Sequence, residues 1–224
     1  MTVSNPNFEK DIQNIGSISV VSRVLEAICL TTGMGFAAVA RVTPERWIAC
    51  EVRDEIKFGL LPGGELQVDT TICHEIRQSG QPVIIDHVAE DEFYYRHHTP
   101  AMYGLQSYFS IPVVKQDGSF FGTLCAIDPS PALVSSPEIR GLFKVYAELI
   151  SILLNAVENE LADRLKKMQE LSLQELDGQV AQMAAYHRSG DIDNRHRTPS
   201  FVKAIEGVIA STSQLINRLT EVPV

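Results

Sequence analysis

The chain has 224 residues, of which 45% are hydrophobic and 21% charged, and its formal net charge is −9. This composition is typical of a globular protein with a substantial core, and the acidic balance without a basic patch argues against a nucleic-acid partner. No apolar run reaches the eighteen or so residues of a membrane span, and no signal pattern opens the chain, so the sequence predicts a cytoplasmic protein.

The first half of the chain alternates between helix and strand patterns. Apolar residues at helical spacing run from residue 18 to about residue 34 and predict a helix, with Gly33 as part of its stop signal. Two short apolar runs then predict a strand hairpin, and a segment rich in glycine and proline at 57–69 predicts a loop. A second helix is expected at 70–80, followed by a strand at 82–88.

The middle of the chain contains one irregular segment and one clear hairpin. Acidic, aromatic and basic residues mix without a period at 89–104, which predicts a loop with a short helical turn. The runs at 106–114 and 120–129 are predicted strands, joined by "KQDGS", whose Asp-Gly pair suits a tight turn.

The C-terminal part is predicted to be helical. One long helix begins at Pro137, and its apolar positions narrow beyond residue 158 to a single stripe that includes Leu161, Leu165, Met168 and Leu176. This stripe predicts a coiled coil or helical bundle, and therefore a homodimer. "RSGDIDNRHRT" at 188–198 breaks the helix, and a last helix with a regular apolar seam runs from Pro199 to about Glu221. We expect it to fold back as a helical hairpin.

This order of elements predicts an α+β protein with a central antiparallel sheet. Two segments resemble the GAF domain: "TTICHEIRQSGQPVIIDHVAEDEF", with a helix, a glycine turn and a strand that ends in aspartate, and "GLQSYFSIPVVKQDGSFFGTLCAIDP", which is similar to the family's hallmark hairpin. The resemblance covers about residues 18–157 and is closest to GAF domains at the front of bacterial sensor histidine kinases. It divides the chain into an extension at 1–17, a GAF domain at 18–157 and a helical dimerisation extension at 158–224.

The resemblance implies a sheet of five or six strands, with one face against helices and the other forming a ligand pocket. It implies a non-catalytic signalling module of a two-component system, which binds a small molecule or a protein partner and relays its state through a helical dimer. A histidine kinase or another signalling protein is the expected partner. The ligand and any cofactor are left unassigned, because pocket specificity depends on loop packing.

Five residues are candidate ligand contacts. Asp86 ends a strand and either caps the 89–104 loop or touches a ligand. Tyr95 and His97 lie in that loop and form a pocket rim or plain loop surface. Tyr108 lies in the pocket or in the core. Cys125 is expected to be a buried wall residue. No metal site is predicted, since the adjacent histidines lack a third ligand.

Two alternatives use the cysteines as reactive groups. A Cys73-His74 pair suggests covalent bilin attachment as in phytochromes, but the family's cysteine lies shortly before the hairpin, so no covalent bilin is expected. A free methionine-R-sulfoxide reductase needs a thiolate attacker and a resolving thiol, and only Cys73 and Cys125 could approach each other. No kinase phospho-acceptor box or ATP-binding segment follows, so the sequence predicts no enzyme activity.

Overall fold

The computed structural model describes residues 7–159, 161–188 and 198–221. Most of the predicted helix break at 188–198 lies outside these residues. Seven helices occupy the described ranges: α1 Phe8–Gly16, α2 Ser19–Thr32, α3 Ile72–Ser79, α4 His98–Tyr103, α5 Pro137–Glu158, α6 Ala162–Arg188 and α7 Pro199–Thr220. The strands are β1 Phe36–Val42, β2 Trp47–Asp54, β3 Glu65–Leu66, β4 Val83–Ile85, β5 Ser107–Val114 and β6 Phe120–Asp128.

The six strands form one antiparallel sheet in the order β3-β2-β1-β6-β5-β4. This confirms the predicted α+β architecture with a central antiparallel sheet. The segment predicted as a loop at 57–69 contains the two-residue strand β3 as well, and 3-10 turns occupy Val68–Thr70 and Val88–Glu90. Helix α1 is not predicted by the sequence pattern, which begins the first helix at residue 18. Asn7 caps α1, because its Oδ1 accepts a hydrogen bond from the Lys10 amide.

Alternating residues of the central strands serve two separate cores. Ala37 and Val39 of β1 and Leu124 and Ala126 of β6 face the helical layer. Ala38 of β1 and its neighbours on the same side face the opposite core, which α3 covers. The sheet therefore separates a large helical core from a smaller one, as the period of two in a strand requires.

The prediction of one long helix from Pro137 is wrong in one respect, because this segment forms two helices. Helix α5 ends at Glu158, and Asn159 caps it by donating from its side-chain amide to the Asn155 carbonyl oxygen at 2.7 Å. The Leu161 amide then bonds to the Ala156 carbonyl oxygen. Helix α6 turns back and packs against α2 and α5, and α7 packs against α5 and α6.

The apolar stripe of α6 is buried within the chain. Met168, Leu176 and Met183 are at most 1% exposed, and Leu161 and Leu165 are partly buried. The sequence argument for a dimer assumed that this stripe is left in water, and that premise does not hold. Dimerisation stays a prediction that needs other support. The predicted seam of α7 is buried, at Phe201, Ile205, Val208, Thr212, Leu215 and Leu219.

Hydrogen bonds fix the helical hairpin on the domain. Gln179 of α6 is 4% exposed, accepts from the Tyr146 hydroxyl of α5 at 3.0 Å and donates to Thr212 of α7 at 3.0 Å. At the other end the Ser19 hydroxyl of α2 donates to Gln169 at 2.6 Å. Within the described ranges no single helix is long and apolar enough to cross a membrane; only α1 and α2 taken together, bent by 75°, meet that length and composition.

Candidate functional site

A small cavity lies in the core opposite the helical layer. The sheet forms its floor, and α3, α4 and the segment between β2 and α3 form its walls and roof. Its volume is about 40 Å³. Apolar side chains dominate the lining, among them Phe36, Phe58, Leu60, Ile72, Leu105 and Ile127. A cavity of this size holds a few water-sized molecules.

Several polar side chains lie on the face of the sheet that forms the floor of the cavity. They share this face because alternate residues of a strand point to the same side. Tyr108 and Ser110 of β5 and Thr123 and Cys125 of β6 point to the same side, and Ser110 lies directly opposite Cys125 in the register. Cys73 reaches down to these side chains from α3. Its Sγ lies 3.3 Å from the Thr123 hydroxyl, 3.3 Å from the Tyr108 hydroxyl and 4.0 Å from Ser110 Oγ.

The two thiols differ in their hydrogen bonding, so they differ in acidity. The neighbouring Cys125, together with the Thr123 and Tyr108 hydroxyls and the Trp47 indole, lowers the pKa of the Cys73 thiol against the opposing effect of burial. The neighbouring Cys73, and burial itself, raise the pKa of Cys125 well above its usual range, and the Cys125 thiol donates to the Ala38 carbonyl oxygen at 3.6 Å. Burial likewise raises the pKa of Tyr108, which stays a neutral donor. Of the two thiols, Cys73 gives up its proton first.

The walls add one more polar group. The indole Nε1 of Trp47, a lining residue that is 2% exposed, makes no hydrogen bond of regular geometry with a described atom, but the indole helps to lower the pKa of the Cys73 thiol. A buried N–H without a partner costs free energy, and such groups in native proteins are usually satisfied by water or a ligand. The cavity therefore offers a donor to a bound acceptor atom.

Two segments close the cavity. Helix α4 is tied to the 3-10 turn at Val68–Thr70, since the Thr99 hydroxyl donates to the Thr70 carbonyl oxygen at 2.5 Å and the Tyr103 and Thr70 hydroxyls lie 2.7 Å apart. The two closing segments are residues 55–71 and 89–104, and large apolar side chains in them are exposed, namely Leu61 (72%), Phe93 (83%) and Met102 (57%). The closing segments thus combine a few anchoring bonds with unpacked apolar groups.

The structure brings together two of the five predicted site residues. Tyr108 and Cys125 both line the cavity. His97 lies outside it, where its Nε2 is 2.7 Å from the Glu75 carboxylate, and Tyr95 is 52% exposed. Asp86 caps the segment before α5 rather than the 89–104 loop: its Oδ1 accepts from the Val134 and Ser135 amides at 2.7 Å each, and its Oδ2 accepts from the Ser135 hydroxyl.

Three other residues of the site are not assigned to it by sequence reasoning. The helical spacing around Cys73 indicates core packing, and the patterns single out neither Thr123 nor Trp47. A signal for Thr123 is present, because it shares the alternation of Cys125 two residues later. For Trp47 no local signal exists, since its place in the wall depends on how β2 pairs with β1.

A larger polar cleft of about 660 Å³ lies at the end of the sheet, between α1 and the β1–β2 turn. Two of the four cationic residues that line it form ion pairs: Arg41 Nε lies 2.9 Å from Asp11 Oδ2, and Lys115 bonds to Glu158. Among the described residues no three histidine, cysteine or acidic side chains come together to hold a metal ion.

The six-stranded antiparallel sheet has helices on one face and a small cavity on the other, which defines the class of the protein as an α+β domain with one central sheet. Residues 18–154 match the GAF domain family, and the chain belongs to that family. GAF domains are generally small-molecule-binding sensory modules. No curated protein matches the chain.

Solved structures similar to this one include photoreceptors and GAF domains. The chromophore-binding domain of bacteriophytochrome RpBphP3 from R. palustris is 12% identical, with a TM-score of 0.50 over 68% of this chain and 61% of that one. The longer RpBphP3 structure is 13% identical, with a TM-score of 0.51 over 80% of this chain and 45% of that one. The GAF domain of an Acinetobacter phosphoenolpyruvate-protein phosphotransferase is 10% identical, with a TM-score of 0.48 over 69% and 97%. These likenesses concern the fold alone, and the chain spans 61% of the first of these structures.

Proposed function

We propose that this chain is a non-catalytic sensory module that binds a small, mostly apolar molecule with one polar group in the cavity over β5 and β6. One observation carries the proposal. Among the described residues that line the cavity, none has a carboxylate, imidazole, ammonium or guanidinium group. Such a lining favours binding by apolar contact over acid–base catalysis, which needs a positioned proton donor or acceptor.

The same strands offer a route from the cavity to the helical layer. Cys125 lines the cavity, and its neighbours Leu124 and Ala126 pack in the helical core on the other face. A displacement of β6 by a ligand therefore changes the packing under α2 and α5. Helices α6 and α7 lie against these two helices and would receive the change.

The bilin alternative is disfavoured by volume. Pockets for drug-sized ligands measure roughly 300–1,000 Å³, and this cavity measures about 40 Å³. A linear tetrapyrrole would need both closing segments to move away. Dimerisation, a cytoplasmic location and coupling to a histidine kinase remain predictions from the sequence.

Filling the cavity tests the proposed function. Methanol and ethanol are suitable probes, because each has a small apolar part and a single hydroxyl and is small enough for a cavity that holds a few water-sized molecules. We expect ligand-observed NMR to detect binding to the parent chain and to Leu61→Trp, whose site is 72% exposed, but not to Leu60→Trp, whose site is 8% exposed and lines the cavity. Equal binding by both variants, or binding of neither probe to the parent, would argue against this cavity as the ligand site.

A further inference from the structure

Two of the four cysteines meet in the cavity. Cys73 and Cys125 come from α3 and β6, and they are 3% and 4% exposed. Both line the same cavity, and the pKa of the Cys73 thiol is lowered chiefly by the neighbouring Cys125, whose own thiol donates to the Ala38 carbonyl oxygen at 3.6 Å. The other two, Cys29 and Cys50, are buried in the helical core on the opposite face of the sheet. All four are free thiols.

The surroundings of Cys73 suit a nucleophilic sulfur. The hydroxyls of Thr123 and Tyr108 each approach its Sγ to 3.3 Å, and Ser110 lies at 4.0 Å. Hydrogen bonds donated to a sulfur stabilise the thiolate, which is the reactive form of cysteine. Redox-sensitive cysteines often stand next to a second thiol that resolves them, and Cys125 lines the same cavity as Cys73.

We propose that Cys73 and Cys125 are a redox-active pair that forms an intramolecular disulfide when a small hydroperoxide enters the cavity. The Cys73 thiolate attacks one peroxide oxygen, so that an S–O bond forms, the O–O bond breaks and the leaving oxygen departs as an alcohol or water with the displaced proton. The Cys125 thiol then attacks the sulfenic sulfur, an S–S bond forms, and the hydroxyl leaves as water. Two thiols lose two electrons, and the peroxide gains them.

The cavity selects the oxidant by size. Its volume of about 40 Å³ admits hydrogen peroxide or a small alkyl hydroperoxide and excludes bulky oxidants. The indole of Trp47 lines the cavity with Cys73, and its N–H can donate to a peroxide oxygen within it. The lining holds no cation among the described residues, so a neutral oxidant enters more readily than a charged one.

The disulfide would join α3 to the sheet. Helix α3 has only eight residues and packs over β1, β5 and β6. A covalent bond from Cys73 to β6 would fix this helix on the floor and close the cavity. This inference goes beyond the proposed function, because oxidation of the pair requires no bound sensory ligand.

Intact-mass spectrometry of the full chain tests the proposal. The native protein receives a pulse of hydrogen peroxide and is then unfolded in N-ethylmaleimide. We expect a loss of about 2 Da with two thiols protected from alkylation, reversed by dithiothreitol, and a non-reducing peptide map that joins Cys73 to Cys125. A map that joins other cysteines, joins two chains, or shows both thiols still reduced would overturn it.

Variants separate the two steps. Cys73→Ser should abolish the oxidation, whereas Cys125→Ser should stop at a sulfenic acid on Cys73 that dimedone traps. The double variant Cys29→Ser/Cys50→Ser should still lose about 2 Da, because neither residue belongs to the pair. Circular dichroism shows whether each variant folds, and the peptide map of the parent decides the question even where a variant does not fold. Loss of ethanol binding in the earlier experiment would leave this result unaffected.

Discussion

At Gly122 the backbone of β6 passes so close to β1 that no side chain fits. A Cβ at this position would lie 1.8 Å from the Ala40 carbonyl oxygen, a contact that only a backbone shift could relieve. Gly178 of α6 is the opposite case, since a Cβ there would meet no atom within 4 Å. The close approach of two strands therefore requires a glycine at position 122, whereas packing does not require one at position 178.

This contrast gives a matched pair of variants. We expect Gly122→Ala to lower the free energy of unfolding by about 1–3 kcal/mol or more, as overpacking does. Gly178→Ala should raise it by about 0.5–1 kcal/mol, because alanine loses less backbone entropy in a helix. Urea unfolding followed by circular dichroism measures both values. Equal effects of the two variants would show that the close approach at Gly122 is not rigid.

Asp86 stabilises the segment before α5 through three accepted hydrogen bonds. Asp86→Ala should cost about 2–3 kcal/mol, because two backbone amides lose a charged acceptor. Asp91→Ala is the control: Asp91 also accepts two amide bonds, from Phe93 and Tyr94, but in an exposed turn. We expect a smaller loss there, about 0.5–1 kcal/mol. Urea unfolding of both variants measures the difference, and a ligand-contact role alone for Asp86 predicts no change in stability.

Cys29 and Cys50 should resist alkylation in the folded protein. Burial raises the pKa of each thiol to about 12, so at pH 8 only about one molecule in ten thousand carries the thiolate. We expect iodoacetamide to label both residues at the rate of unfolding, and at once in urea. Peptide mapping after timed pulses measures this, and fast labelling of either residue in the native state contradicts its placement in the helical core.

At the scale of elements, the end of α5 shows what local patterns predict and what they miss. The apolar stripe beyond residue 158 predicts correctly that this segment is helical and that one face is buried. It does not reveal that the chain turns back after Asn159, because a single asparagine is a weak stop signal without glycine or proline. The partner of the stripe is α2, which lies over 120 residues earlier, and no local window contains that information.

The site shows the same limit. Strand alternation in β5 and β6 predicts which side chains share a face, and two of the five predicted site residues, Tyr108 and Cys125, do line the cavity. Helical spacing places Cys73 on one face with Ile72 and Ile76. Which point of the sheet that face covers depends on how α3 crosses β5 and β6. This is a tertiary property that the sequence pattern does not encode.

The buried seam of α7 makes the helical hairpin part of the folded unit. Leu215 is 2% exposed in the core that it shares with α5, so Leu215→Ala should cost about 2–4 kcal/mol. Its exposed neighbour Asn217 is the control, and Asn217→Ala should stay within about 0.5 kcal/mol. Thermal melting measures both, and a chain that ends at Arg188 should melt lower still. Unchanged melting of Leu215→Ala would mean that α7 packs loosely.

At the scale of the molecule, the two faces of the sheet should differ in their dynamics. The central strands β1, β6 and β5 carry continuous ladders between two cores, whereas the segments at 55–71 and 89–104 rest on a few bonds and expose Leu61 and Phe93. We expect amide hydrogen exchange to be slowest in those strands and fastest, within the GAF domain, in these segments. Equal protection in both would show that the roof of the cavity is as rigid as its floor.

The division of each central strand between two cores also bears on how such a protein can change over evolutionary time. Even-numbered residues of β1 pack in the core that contains the cavity, whereas Ala37 and Val39 pack in the helical core, so substitutions in one set need not disturb the other. A lineage could exchange cavity residues and acquire a new chemical specificity while its scaffold remains intact. A laboratory library restricted to cavity-facing positions would exploit the same separation, with little cost to the yield of folded protein.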